Sequence, residues 1–306
     1  MRDLRQILVA VNPCAASNSG RRLWNELTPR FRALFSDYEY RIVETTTCED
    51  GTELGATSDA GIIIAVGGDG TVHSIAQGIM QRPRKERPAL TMIPIGSGND
   101  FARTLGIPFN PKRALAMLAE GTQAAIDVGR CNGTFFLETL SFGVDAAVAL
   151  KTVELRKGAR DRGLLLYARA AVSSILKELR SHRFSLAIDN DTTLEQNLLI
   201  CAIQNGPTYG GGFRIAPSAH ANDGLFNICM ATDINTLKAL YALLLIMRGG
   251  HEHLSCIQTL TARQLTIDLD QEIPVQCDGE PVWGTHFDIE LLPDALDVLM
   301  PQGVPL

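Results

Sequence analysis

Short uncharged runs alternate with stretches of helical spacing over the first 124 residues. Ile7 to Val11 is an apolar run ended by Asn12-Pro13. Leu23, Leu27, Phe31 and Leu34 then recur at intervals of three and four, which predicts a helix with one buried face. Tyr38 to Val43 reads as a second strand, and Glu49-Asp50-Gly51 opens a short helix. Gly61 to Val66 carries no charge and has three adjacent isoleucines. Such a run suits a strand covered on both faces, as in a parallel sheet. Val72, Ile75, Ala76 and Ile79 mark the next helix. The proline-flanked cations of residues 82–88 read as a solvated loop. Ala89 to Ile95 is a fourth strand, a helix starts at Asn99-Asp100, and another runs through Ala114, Leu115, Met117 and Leu118. This alternation predicts a Rossmann-like parallel sheet with helices on both faces. In such sheets ligands sit at the carboxyl ends of the strands.

From about residue 125 the pattern changes to strands. Ala124 to Arg130, an Asn132-Gly133 turn and Thr134 to Ser141 read as a hairpin. Phe184 to Ile188 and Asn197 to Ile203 flank the turn residues Asp189-Asn190-Asp191. Gly224 to Thr232, Leu265 to Leu269, Val275 to Asp278 and Phe287 to Leu291 are further strands. Helical stretches at Ala146 to Arg180 and Asn235 to Arg248 interrupt them. The expected division is an α/β domain over residues 1–124 and an antiparallel β domain over residues 125–292.

Composition narrows the class. The 306 residues suffice for two domains, with 45% hydrophobic and 20% charged residues, as in an ordinary soluble protein. A net charge of −6 argues against a nucleic-acid binder and gives no global attraction to an anionic membrane. The seven cysteines form no CxxC pair, and reduced thiols in a cytoplasmic protein are expected. The beginning of the sequence has no apolar signal segment, and the apolar run Ala239 to Met247 is too short to span a bilayer.

Chemistry concentrates where the central strand meets its turn. Gly67-Gly68-Asp69-Gly70-Thr71 follows the buried run directly. Glycines between a buried strand and a helix start let backbone N–H groups face a phosphate. Asp69 would repel that phosphate unless a cation lies between them. A sharp turn with a capping aspartate is the alternative. The fourth strand ends in a similar turn, Gly96-Ser97-Gly98, so both turns can face one site.

Gly67 to Thr71, then Gly96-Ser97-Gly98-Asn99-Asp100-Phe101-Ala102-Arg103, then Asp278-Gly279-Glu280 resemble the diacylglycerol kinase catalytic family. That family includes bacterial soluble lipid kinases and the sphingosine and ceramide kinases. Order and spacing match over nearly the whole chain, although NAD kinases and phosphofructokinases share the first motif. The resemblance implies a β-sandwich for the second domain, with residues 293–306 returning to the first domain. It also implies ATP and Mg²⁺ as cofactors. Nucleotide contacts carry over to Asn12, Thr47, Gly67, Gly68, Asp69, Gly70, Thr71, Gly96, Ser97 and Asn99. Relatives carry Asn-Pro-x-Ser-Gly near the first strand. Here the Ser-Gly is displaced to Ser19-Gly20, so only Asn12 is carried over from that motif. A helix cap is the alternative for Thr47.

The resemblance further places a water-mediated metal network on Asp69, Asp100 and Asp127. Helix capping is the alternative for Asp100, and a surface strand position for Asp127. Asp278-Gly279-Glu280 would supply the acid/base element, with Asp278 placed ahead of Glu280 as base and a plain hairpin turn as the alternative. Asp223 and the carbonyls of His220 and Leu225 would form a structural metal loop, or else an Asn-Asp-Gly turn. A base must come within hydrogen-bond reach of the acceptor hydroxyl, so the expected active site is a cleft between the domains. Gly210-Gly211-Gly212, beside Tyr209 and Phe213, is a flexible loop or a lipid-binding lip. Lys151, Arg156, Lys157, Arg160 and Arg162 could rest on anionic headgroups or form a solvated face.

The expected function is an ATP-dependent lipid kinase acting on a hydroxyl of diacylglycerol or a related lipid. The expected setting is cytoplasmic, with transient peripheral membrane contact, no nucleic-acid partner, and a homodimer left open. An NAD-kinase-like enzyme shares only the first motif. A non-catalytic lipid-binding regulator would not need Asp69 and Asp278-Gly279-Glu280 intact.

Overall fold

The computed structural model describes residues 5–156, 164–177, 179–232 and 234–306. They divide into two units, Met1–Asp127 with Pro293–Leu306, and Val128–Leu292. In the first unit the order is β1 (Gln6–Val11), α1 (Gly20–Leu34), β2 (Glu39–Glu44), α2 (Cys48–Thr57), β3 (Ile62–Gly67), α3 (Asp69–Met80), β4 (Ala89–Pro94), α4 (Asp100–Thr104) and α5 (Pro111–Glu120). The four strands are parallel in the order β4-β3-β1-β2. Every residue of β3 and β4 is buried, which is why both read as unbroken apolar runs. Ile7, Val9, Val11, Ile62, Ile64 and Val66 pack against Trp24, Leu27 and Phe31 of α1 and Leu115 and Leu118 of α5.

The second unit takes up the strand β5 (Thr122–Cys131) and continues with β6 (Thr134–Phe136), β7 (Thr139–Gly143), α6 (Val144–Arg156), α7 (Leu164–Lys177), β8 (His182–Ile188), β9 (Thr192–Gln204), β10 (Phe226–Thr232), α8 (Thr236–Ile246), β11 (Ile257–Ala262), β12 (Gln264–Leu269), β13 (Val275–Cys277), β14 (Glu280–Val282) and β15 (His286–Met300). Its ladders are antiparallel. The long β9 carries β8 along its first half, and β7 and β10 along its second. Phe136, Phe142, Phe184, Phe226 and Phe287 fill one core, with Phe142 and Phe287 edge to face at 5.1 Å. A second core lies between the sheet and α6, α7 and α8, around Leu199, Phe213, Cys229 and Ile246.

Three expectations change. Thr134 to Ser141 is two strands, because β6 stays with β5 while β7 turns to pair β9 and β13. A strand at Ile257 to Ala262 is added. The cationic loop of residues 82–88 is not merely solvated. Arg84 grips the Asp297 carboxylate through both Nη atoms at 2.9 and 2.5 Å, and its Nε donates to the Asp294 carbonyl. Arg87 donates to the Ala295 carbonyl at 2.6 Å. With Val298 beside Leu90 in parallel, these bonds fix the last part of β15 to the first unit's sheet. None of the seven cysteines forms a disulfide.

Candidate active site

The register of β3 and β4 sets Gly67 opposite Pro94, so the two glycine turns leave the sheet side by side. A side-chain carbon on Gly68 would stand 3.0 Å from the Gly96 Cα, and one on Gly96 only 2.5 Å from the Gly68 Cα. Glycine alone tolerates that approach. Gly67 is closed off in the same way by the Thr71 side chain. Gly70 faces open space at the start of α3.

Side chains then lock the turns. Asp69 Oδ2 accepts the backbone N–H of Asn99 at 2.7 Å, and Oδ1 accepts that of Phe101 at 3.2 Å. Asn99 holds a left-handed backbone, φ 55°. Its amide oxygen accepts the Gly96 N–H, and its amide nitrogen donates to the Gly96 carbonyl, both at 3.0 Å. Asn12 donates to Thr71 Oγ1 at 3.0 Å and accepts the N–H groups of Cys14 and Ala15. The fold therefore gathers Asn12, Gly67, Gly68, Asp69, Thr71, Gly96 and Asn99, with Gly70 and Ser97 in the same two turns.

Thr47 is the N-cap of α2 and accepts the Asp50 N–H at 3.1 Å in a capping box. The Asp50 carboxylate accepts the N–H groups of Thr46 and Thr47, which hold it down at a pKa of about 2. Asp100 is buried in the first turn of α4, 3.8 Å from the Arg103 guanidinium. Asp127 is 1% exposed and accepts the Asp294 N–H at 2.8 Å, so it is not a surface strand residue. Among the described residues no three His, Cys, Asp or Glu side chains gather as a metal cage. Mg²⁺ keeps several waters and is commonly held by one or two carboxylates plus substrate phosphates, a donor set that needs no such cage.

In the second unit Asp278 and Gly279 are a two-residue hairpin loop between β13 and β14, with φ 49° and 94°. Two successive positive φ values are the geometry of a type I′ turn, for which Asp-Gly is suited. The turn separates the two carboxylates. Asp278 Oδ2 accepts the Leu137 N–H at 2.7 Å, and Oδ1 accepts those of Glu138 and Thr139 at 3.0 and 2.9 Å. That clasp bends the chain between β6 and β7 and accounts for the broken strand. Glu280 is exposed, and its carboxylate makes no hydrogen bond or ion pair among the described residues.

The loop holding His220, Asp223 and Leu225 is a turn in which Asp223 Oδ1 accepts the Leu225 N–H at 3.0 Å. His220 and Asp223 are exposed. Lys157, Arg160 and Arg162, and the side chain of Arg156, lie outside the described residues. Lys151 Nζ donates to Ser173 at 3.4 Å.

A feature the sequence reading passed over is a narrow apolar slot within the second unit, with about 80 Å³ of free volume. Val148, Tyr167, Ile175, Leu199, Phe213 and Ile246 are among its lining residues. Gly210 also lines it, at the mouth of a loop closed by reciprocal Tyr209 and Phe213 backbone bonds. One acid, Asp145, reaches the slot. The available signal was a lone carboxylate in the apolar run Leu140 to Leu150.

Residues 6–131 match the family model of the diacylglycerol kinase catalytic domain, and residues 138–300 match the YegS C-terminal NAD kinase beta sandwich-like domain. A protein of Yersinia pestis (strain Pestoides F), named Probable lipid kinase YegS-like, is 31% identical over 83% of this chain and 83% of its own. The chain belongs to the diacylglycerol kinase catalytic-domain family. It is therefore an enzyme of the kinase class. The protein of the same name from Yersinia pseudotuberculosis serotype O:1b (strain IP 31758) matches equally, at 31% over the same shares. The fold is that of a diacylglycerol kinase from Bacillus anthracis str. Sterne, with a TM-score of 0.80, 24% identity, and 99% of each chain covered. Within this family fold, the parallel sheet carries the glycine turns and the β-sandwich-like domain carries the Asp-Gly-Glu hairpin. No helix among the described residues is long and apolar enough to cross a membrane.

Proposed function

We propose that this kinase transfers the γ-phosphoryl group of ATP to a hydroxyl of diacylglycerol or a related lipid. The lipid reading rests on the apolar slot, since a polar acceptor would have no use for it. For the nucleotide, the reading places phosphates on the N–H groups at the start of α3 and on the Gly96-Ser97 turn. A helix N-terminus favours anions there, and the open space at Gly70 gives access. Asn12, Thr47, Gly67, Gly68, Asp69, Thr71 and Asn99 complete that half. Asp69, Asp100 and Asp127 would hold Mg²⁺ through water, which would neutralise charge on the transferring group.

For the acceptor half we assign the base to Glu280. Asp278 has its oxygens committed to three backbone N–H groups, whereas Glu280 is exposed and its carboxylate makes no hydrogen bond or ion pair among the described residues. Asp278 is then a positioning residue. This assignment differs from the expected order, which put Asp278 ahead of Glu280. A base can take the hydroxyl proton only within hydrogen-bond reach, so the acceptor hydroxyl must come to Glu280 in the reacting complex.

Access to lipid also has support. Leu165, Val172 and Leu176 form an exposed stripe on α7, and Leu237, Tyr241 and Leu244 form another on α8. The two helices pack together and their other faces line the slot. A peripheral membrane contact through these stripes would deliver lipid beside the slot. Purified protein, labelled ATP and Mg²⁺ should be incubated with diacylglycerol, phosphatidylglycerol, a sphingoid base and a monoacyl lipid in mixed micelles. Label in a lipid product supports the reading. Label in none of them overturns it.

A further inference from the structure

Asn205 follows the last residue of β9 and is 0% exposed. Its side-chain Nδ2 donates to the Leu137 carbonyl at 2.9 Å. Its backbone N–H donates to the Glu138 carbonyl at 2.9 Å, and the Gly206 N–H joins it there at 3.3 Å. These carbonyls belong to the two peptide units whose N–H groups, those of Glu138 and Thr139, reach Asp278 Oδ1 at 3.0 and 2.9 Å. Each unit therefore accepts from Asn205 at one end and donates to the Asp278 carboxylate at the other.

Hydrogen bonds in series polarise one another, and more so away from water. Glu138 and Thr139 are each 5% exposed, so little water competes for these bonds. The Asp278 N–H returns to the Thr139 carbonyl at 2.9 Å, which closes the arrangement. Gly279 then completes the turn, and Glu280 opens β14. The Asp-Gly pair sets the bend of that turn. Its place is set by bonds from the chain 139 to 141 positions earlier.

We propose that Asn205 is a positioning residue for phosphoryl transfer. Its two donors polarise the peptides that grip Asp278, and through that grip they fix the hairpin that presents Glu280. The assignment rests on the reading of Glu280 as base, and it adds the residue that aims it. An apolar side chain at position 205 would leave the Leu137 carbonyl buried without its donor. It would also weaken the next bond in the series, from the Glu138 N–H to the carboxylate. Every bond in the series lies within the second unit, so the loss falls on the hairpin and not on the nucleotide turns.

The test compares wild type, Asn205→Leu, Glu280→Gln and the double variant by steady-state kinetics with ATP and the accepted lipid. Amide NMR of the isotope-labelled whole protein accompanies it. Asn205→Leu should lower kcat by about 10–10²-fold, the cost of a reacting group set out of place, with the KM for ATP unchanged. In the Glu280→Gln background the same change should cost little more, because residues that act as a unit are not additive. The Glu138 and Thr139 amide protons should lie downfield in the wild type, and the Glu138 proton should move upfield in Asn205→Leu. Wild-type kcat in Asn205→Leu overturns the proposal, and so does a full multiplicative loss in the double variant. If Asn205→Leu does not fold, hydrogen exchange in the wild type decides. Glu138 and Thr139 amides that exchange as fast as exposed ones overturn the proposal, and slow exchange there and at the Asn205 side-chain amide supports it. Absence of transfer, or full activity in Glu280→Gln, sinks the parent reading alone. The Glu138 proton then decides the link from Asn205 to Asp278.

Discussion

Asp69 Oδ2 accepts the backbone N–H of Asn99 at 2.7 Å, across thirty positions of sequence. The acid that opens one glycine turn is thus also the staple of the other. Asp69→Asn replaces one acceptor oxygen with a donor, so one of the two N–H groups it holds meets another donor. Loss of a half-buried acceptor costs about 1 kcal/mol or more, which for a chain of this size lowers the melting temperature by a few degrees. The expected kinetic loss is about 10²–10³ in kcat/KM. Thermal melts alongside initial rates check both. A variant with wild-type melting and wild-type turnover contradicts the assignment.

Glu280→Gln and Asp278→Asn should separate cleanly. Glu280→Gln removes the proposed base and should lower kcat by about 10²–10⁴, with the melting temperature unchanged. Asp278→Asn weakens a clasp on three N–H groups and should melt earlier, with kcat falling because the hairpin is displaced. Steady-state kinetics with both substrates and melts of both variants decide it. Full activity in Glu280→Gln beside an inactive but fully stable Asp278→Asn returns the base to Asp278.

Asp145 predicts a pH dependence of stability. Burial raises its folded pKa from 3.8 to about 7, so the folded state binds the proton more tightly than the unfolded chain does. Stability from this group is highest below about pH 4 and falls as pH rises through about 7, above which the carboxyl is charged while buried. At about 1.4 kcal/mol per pKa unit the span is on the order of 4 kcal/mol. Asp145→Asn, which does not ionise, should show a flatter stability profile between pH 4 and 7 in denaturant titrations. Parallel profiles for the two proteins contradict the buried-acid account.

Gln276 donates to the Ser141 hydroxyl at 2.8 Å and accepts the Gly279 N–H at 2.6 Å in the hairpin that carries Glu280. Gln276→Leu removes the acceptor of the Gly279 N–H and the donor to Ser141. The expected result is a fall in kcat on lipid with little change in the KM for ATP, and partial recovery in Gln276→Glu, which restores the acceptor. A change confined to melting temperature shows a purely structural role.

The sequence was readable where one local pattern decided the outcome. β3 and β4 are unbroken apolar runs because both faces are covered. The Asp-Gly pair spelled a turn because two positive φ values need it. Long-range partners were not readable. The alternation suggests a last strand ending at Leu291, yet β15 runs on to Met300, held by Arg84, Arg87 and a Thr91 hydroxyl donating to the Leu299 carbonyl. β11 was hidden because Gln258, Thr259 and Thr261 put polar side chains along it. The inward turn of Asp278 depends on N–H groups about 140 positions away. Asp145 carries no local sign that its second oxygen is buried and unmatched.

The central claim is transfer of the terminal phosphoryl group to a lipid hydroxyl with Glu280 as base. The most direct measurement follows label from γ-labelled and α-labelled ATP into diacylglycerol in mixed micelles with Mg²⁺, using wild type and Glu280→Gln at equal concentration. The account predicts label in the lipid only from the γ position, at a rate about 10²–10⁴ lower in the variant. Lipid labelling at equal rates in both proteins, or no labelling by the wild type across the lipid panel, contradicts it.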